Sequence, residues 1–151
     1  MGNVLFVGFK GKNNASGKLA AACSPEHLLL TNSFAGLRND IDLAGDGYDH
    51  VILFGVDKTL TSMVRIEKSA AKDDEKVHTK LELSDLIEFI KAVEIEVEIS
   101  DAPQNSLCNE AYWQVLTKYD GRAVFIHIPT IKNADERFIN QLKSVFEKLK
   151  M

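Results

Sequence analysis

Cysteine is scarce in this chain, with only Cys23 and Cys108 among 151 residues. Two thiols are too few for a disulfide framework, so an apolar core must hold the fold, and the chain reads as cytoplasmic with reduced thiols. Positive charge is not in excess either. A formal net charge of −4 leaves no basic footprint, so nucleic acid is not an expected partner. No apolar run approaches the ~20 residues of a membrane span, which argues against a membrane partner. The opening segment, Met1 to Phe9, lacks the charged n-region and long apolar core of a signal peptide. Internal repeats and low-complexity segments are also missing.

What remains is ordinary for a globular protein: 45% hydrophobic and 26% charged residues. The length fits a single domain over residues 1–151. Asn3 to Phe9 is a continuous apolar run, the pattern of a strand buried on both faces. A polar loop and an alanine-rich helix to Cys23 follow, stopped by Ser24-Pro25. His27 to Thr31 reads as a strand, and Asn32-Ser33 can cap a helix from Phe34 to Ala44. Tyr48 to Gly55 and Met63 to Lys68 are strands, the second alternating apolar and charged residues. Ser69 to Lys80 is the most polar stretch and reads as a solvated loop. Ser84 is placed to cap a helix to Val93, and Glu94 to Ile99 alternates as a strand. Helices over Leu107 to Tyr119 and Ala134 to Lys150 flank a last strand, Arg122 to Ile128. Strands and helices alternate almost throughout, which predicts a three-layer α/β/α sandwich with a mainly parallel, mixed sheet. In such sheets functional groups gather at the carboxyl ends of strands, here Phe9, Gly55, Ser100 and His127.

Cys108 stands where the polar loop from Ser100 gives way to a helix. A helix N-terminus beside an imidazole lowers a thiol's pKa and makes it a nucleophile. Backbone N–H groups there can hold an oxyanion. His127, in Val-Phe-Ile-His127-Ile-Pro129, is the candidate imidazole, at the end of the last strand. An orienting carboxylate would fix its tautomer. Glu67 is one candidate, which could equally be a solvent-facing strand residue paired with Arg65 or Lys68. On the residues alone, Glu94 and Glu96 are not distinguished from it.

Other motifs carry less. Gly11-Lys-Asn-Asn-Ala-Ser-Gly17-Lys18 has five residues rather than four between its glycines, and Leu19 stands where a magnesium-holding Ser or Thr belongs. Cys23 and His27 are four apart, but Ser24-Pro25 breaks the helix and no second ligand pair accompanies them, so no metal site is expected. Tyr112 and Trp113 read as core or interface, and Lys72 to Lys76 as a solvated face.

The order of segments resembles that of pyroglutamyl peptidase I (pyrrolidone-carboxylate peptidase), a family of cysteine peptidases. Its members open with a strand ending in Gly-Phe, matched by Gly8-Phe9, and soon carry Asn-Pro-Ser, similar to Asn14-Ala15-Ser16. A strand ending in glycine and a glutamate about a dozen residues on are matched by Gly55 and Glu67. A Ser…Cys-Asn loop is matched by Ser100 and Cys108-Asn109, and a Phe-Ile-His-hydrophobic-Pro strand by Phe125 to Pro129. The resemblance implies Cys108 as nucleophile, His127 as general base and Glu67 as orienting carboxylate. It further implies Phe9, Asn14 and Leu107 around the substrate, a small peptide or amide substrate, no cofactor and a possible homo-oligomer.

The chain would be a shortened, divergent member, with much of the deficit between Glu67 and the cysteine loop. Its first loop reads Phe9-Lys-Gly-Lys12-Asn instead of Phe-Glu-Pro-Phe-Gly-Gly, and Asp57-Lys-Thr-Leu60 replaces a Gly-Gly-Arg region. Two functions follow as expectations. One is a cysteine peptidase or amidase working through a thioester. The other is a catalytically inactive homologue acting as a small-molecule-binding or assembly module.

Overall fold

The computed structural model describes residues 2–149. Six of its eight strands fall where apolar runs or alternation place them: β1 (Val4–Phe9), β2 (His27–Leu30), β3 (His50–Val56), β4 (Met63–Glu67), β7 (Glu96–Ser100) and β8 (Ala123–Ile128). Two more, β5 (Ser69–Lys72) and β6 (Glu75–His78), form an antiparallel hairpin where a solvated loop is expected. Asp73, at the tip, takes a positive φ of 54°, which an aspartate tolerates better than most side chains. Pairing of this polar stretch is anchored from outside, by a helix described below, so its polarity conceals a strand.

The helices are α1 (Ala15–Cys23), α2 (Phe34–Leu43), α3 (Ser84–Ala92), α4 (Leu107–Lys118) and α5 (Glu136–Leu149). Ser33 caps α2 by accepting from the Gly36 N–H at 3.1 Å. Ser84 does not cap α3. It is the first helical residue, and its hydroxyl donates to Glu82 Oε1 at 2.8 Å.

Six strands make one mixed sheet in the order β2-β1-β3-β8-β4-β7. The first four run parallel, while β4 pairs antiparallel with β8 and parallel with β7. Alternate residues of a strand face opposite sides, and this parity builds two cores. Phe6, Ile52, Phe54, Ile66 and Ile126 face one side with Leu19, Leu142 and Phe146 of α1 and α5. There the Phe146 ring packs edge to face on Phe6 at 5.6 Å and on Phe54 at 5.3 Å, while Phe6 and Phe54 lie nearly parallel. Leu5, Val7, Leu53, Ala123 and Phe125 face the other side with Leu37 of α2 and Tyr112 and Val115 of α4. The result is the expected α/β/α sandwich.

One expectation fails on topology. Because β4 and β7 run against β8, Ser100 does not lie at the same carboxyl rim as Gly55 and His127. The pairing instead overlaps the strands: Arg65 sits opposite His127, and Glu67 opposite Phe125. Functional side chains therefore meet on a face of the sheet rather than along one edge.

Candidate active site

Strand parity decides which residues share that face. Val64 and Ile66 point into the α1/α5 core, as do Ile126 and Ile128. Arg65, Glu67 and His127 consequently project to the α4 side, where a cleft of about 930 Å³ opens. Cys108 reaches the same cleft from the second residue of α4.

The helix start is built by Ser106, whose hydroxyl accepts from the Asn109 N–H at 3.1 Å. A helix leaves its first N–H groups without intrahelical acceptors, so those of Leu107 and Cys108 are not consumed by the helix itself. Two further residues of α4 fix its register, one against β5 and one against the end of β4. Asn109 accepts from the Ala71 N–H at 3.0 Å and donates to the Ala71 carbonyl at 2.7 Å. Tyr112 donates its hydroxyl to the Glu67 carbonyl at 2.8 Å. The thiol also needs room below it. Gly55, directly opposite His127 in the β3–β8 ladder, supplies that room. A Cβ at Gly55 would lie 2.9 Å from Cys108 Sγ and 2.5 Å from Phe125 Cζ.

His127 Nδ1 lies 2.7 Å from Glu67 Oε2, with both side chains nearly buried. A carboxylate is an acceptor only, so Nδ1 carries the proton of that bond and Nε2 keeps the free lone pair. Arg65 is the other neighbour of the same oxygen. Its Nε donates to Glu67 Oε2 at 2.7 Å, and its Nη2 donates to Asp57 Oδ2 at 2.5 Å. Arg65 Nη2 also stands 3.5 Å from His127 Nδ1, where two donors face each other and no hydrogen bond forms. The pairing of Glu67 with Arg65 and its role beside His127 are thus simultaneous rather than alternative.

Electrostatics follow from these contacts. Burial opposes ionisation of Glu67, but hydrogen bonds from His127 and Arg65 outweigh it and hold the carboxyl below its usual range. Asp57 is treated likewise. Burial raises it, while Thr59 and Arg65 bring it well below an ordinary aspartate. The thiol behaves contrary to expectation. Burial, followed by the negative charges of Glu67 and Asp57, pushes Cys108 up to about 12. The helix start is present, but the carboxylates and the dry surroundings outweigh it, so the resting sulfur is a thiol.

The residues expected around the substrate lie elsewhere. Phe9 is buried in the core, with 4% of its surface exposed. Asn14 caps α1, accepting from the Ser16 N–H at 3.0 Å, and Ser16 in turn accepts from the Phe9 N–H at 3.0 Å. The Asn14-Ala15-Ser16 motif thus ties the end of β1 to α1. Leu107 packs half-buried against the α4 core. None of the three lines the cleft, which is walled instead by Asp57, Glu98, Asp101, Gln104 and Ser106 among others. Among the described residues no group of three or more His, Cys, Asp or Glu is placed to hold a metal ion. No helix among them is long and apolar enough to cross a membrane.

Asp57 and Asn109 are the site residues that pattern reading did not single out for a role. Asn109 stood in view only as the neighbour of Cys108. Its clamp needs the unexpected β5, so nothing local announced it. Arg65 was visible through alternation, since Arg65 and Glu67 are two apart on one strand and must share a face.

No family model matches the sequence, and no curated protein matches it. Solved structures do. Pyrrolidone carboxyl peptidase from Thermus thermophilus is 15% identical, with 95% of this chain and 98% of that chain covered at a TM-score of 0.77. Pyroglutamyl peptidase I from Bacillus amyloliquefaciens is 17% identical over 96% and 93% of the two chains, with a TM-score of 0.75. The pyrrolidone carboxyl peptidase of Thermococcus litoralis is 18% identical over 97% and 92%, with a TM-score of 0.71. Together with the sheet order and the two helix layers, these matches give the chain the pyrrolidone carboxyl peptidase fold.

Proposed function

We propose that the protein is a cysteine amidase or peptidase acting on a small or N-terminal amide. The observation that carries this reading is the 2.7 Å contact between His127 and Glu67 on the wall of the cleft that Cys108 enters from a helix start. Because the resting sulfur is protonated, the chemistry is that of a thiol and a neutral base rather than a standing ion pair. His127 Nε2 takes the thiol proton as Sγ bonds to the carbonyl carbon. Glu67 stabilises the imidazolium that forms, and the Cys108 N–H donates to the oxyanion. The imidazolium then gives its proton to the departing amine, leaving a thioester on Cys108. His127 next deprotonates water, which attacks the thioester, releases the acid and restores the thiol. The similar solved structures are named as pyrrolidone carboxyl peptidases, which supports an amide substrate of this kind.

A screen of pyroglutamyl and small N-acyl amides bearing a fluorogenic amine tests the reading. Hydrolysis by the natural sequence should fall at least ~10³-fold in Cys108→Ser and His127→Ala. Hydrolysis that survives both substitutions sinks it.

One observation favours a second reading, a non-catalytic binding module: the thiol is pushed up to about 12 among carboxylates. That reading requires no Cys108-dependent turnover of any amide in the screen.

A further inference from the structure

Three carboxylates converge on the Arg65 guanidinium. Asp57 and Glu67 receive its hydrogen bonds at 2.5 Å and 2.7 Å, and Glu98 Oε2 lies 3.9 Å from Nη1. The side chain is largely buried, and β4 sets it directly opposite His127 on β8. With its fork divided between Asp57 and Glu67, Arg65 is not available as a free anion-binding group for a substrate. Its position beside the imidazole has a different consequence. Glu67 Oε2 is shared between a cation and the ring, so part of its charge is already answered when the ring would gain a proton. In addition, Nη2 at 3.5 Å places positive charge against the edge of the ring that would share the new charge. Like charges at that separation disfavour the charged form.

We propose that Arg65 is a positioning residue of this site: clamped by Asp57, it shares the Glu67 oxygen that holds His127 and sets a positive charge against the edge of the imidazole. The inference rests on the reading of Cys108 as nucleophile and His127 as base. The arrangement suits a buried thiol, because a protonated sulfur needs an unprotonated acceptor for attack to begin.

The groups facing the ring from the neighbouring elements are few. Besides Arg65 and Glu67 from β4, the cleft receives Asp57 and Lys58 from the loop after β3. Glu98 and Asp101 enter from β7 and the loop beyond it, and Cys108 from α4. Asp101 is occupied elsewhere, accepting from Ser69 at 2.6 Å and facing Lys76 and His78 at 3.2 Å each. The Arg65 guanidinium stands against the ring, with Nη2 3.5 Å from Nδ1.

The test follows ring protonation by NMR of nitrogen-15-labelled histidine, with the His27, His50 and His78 signals assigned by substitution. In Arg65→Gln the His127 midpoint should rise by about 1 pH unit. Arg65→Gln leaves Asp57 with a lost partner and could lower stability, so the double variant Asp57→Asn/Arg65→Gln is measured beside it. That variant removes one charge of each sign and leaves the net charge of the site unchanged. A rise in the double variant therefore reports the placement of the cation rather than the overall field. Arg65→Lys, which keeps a cation on the strand, should return the midpoint towards its starting value. An unchanged midpoint in both Arg65→Gln and the double variant overturns the inference, since a merely structural role for Arg65 would not move it. If amide hydrolysis is found, the acid limb of kcat/KM should move up with the ring. A shifted ring in a protein without Cys108-dependent hydrolysis would overturn the proposed function and leave the electrostatic restraint. Hydrolysis with an unshifted ring would overturn the restraint alone.

Discussion

Asn109 pairs with the backbone of Ala71 as an extra rung of a strand would, accepting at 3.0 Å and donating at 2.7 Å. The residue next to the sulfur is thereby locked to the strand that follows Glu67. With Tyr112 on the Glu67 carbonyl, one helix sets the distance between the Cys108 sulfur and the Glu67 carboxylate. Asn109→Ala leaves a partly buried N–H and C=O of Ala71 without these partners. A loss of about 2 kcal/mol in urea denaturation is expected, together with weaker protection of the β5–β6 hairpin in hydrogen exchange. An unchanged hairpin would show that the clamp is not what holds it.

Gly55 allows the thiol and the Phe125 ring to approach the floor of the cleft. Gly55→Ala would force a Cβ to within 2.9 Å of Sγ and 2.5 Å of the Phe125 ring. The expected cost is about 1–3 kcal/mol, measured by thermal or urea unfolding, with a displaced Cys108 in a crystal structure of the variant. A variant as stable as the parent, with the sulfur unmoved, would contradict this geometry.

Three carboxyls that line the cleft are held below their ordinary values. Hydrogen bonds overcome burial for Asp57 and Glu67, and the Ser69 hydroxyl, with help from Lys76 and His78, brings Asp101 down to about 2. Unfolded, these groups titrate near 3.8 for Asp and 4.5 for Glu, so the unfolded chain binds more protons as pH falls below about 5. Their stabilisation is complete above that range and lost on acidification towards the folded midpoints. The urea midpoint should fall between pH 5 and pH 3, and fall less steeply in Asp57→Asn/Arg65→Gln. Equal slopes in the two proteins would deny the cluster this role.

The thiol offers a direct check on the site's field. With Cys108 pushed up to about 12, first by burial and then by Glu67 and Asp57, alkylation by iodoacetamide at pH 8 should be slower than that of free cysteine. Asp57→Asn removes one of those charges and should accelerate the reaction by about threefold, half a pKa unit. Rates above that of free cysteine would show a standing thiolate and contradict the neutral-pair chemistry.

Much of this was legible in the sequence because period and order are local properties. Apolar runs mark β1, β3 and β8, and alternation alone puts Arg65 and Glu67 on one face. The helix start at Cys108 was likewise written in the Ser106-Leu-Cys-Asn sequence. The β5–β6 hairpin was hidden because its pairing depends on Asn109, distant in the chain, while its own residues are polar. The direction of β7 relative to β8 was also hidden, since alternation is the same for parallel and antiparallel neighbours. That missing sign misplaced Ser100 on the rim. The thiol misled for a related reason: a helix N-terminus is visible in sequence, but the carboxylates that oppose it converge only in the fold. Phe9 and Asn14 looked like parts of a binding loop, whereas the core and the cap of α1 absorb them.

The most direct measurement is intact-protein and peptide mass spectrometry of the chain quenched in acid during incubation with a panel of pyroglutamyl and small N-acyl activated amides. The account predicts an acyl adduct on Cys108 that decays with product formation, is missing in Cys108→Ser and is at least ~10²-fold slower to form in His127→Ala. Product formed at an undiminished rate by Cys108→Ser, with no adduct on the natural chain, would contradict it.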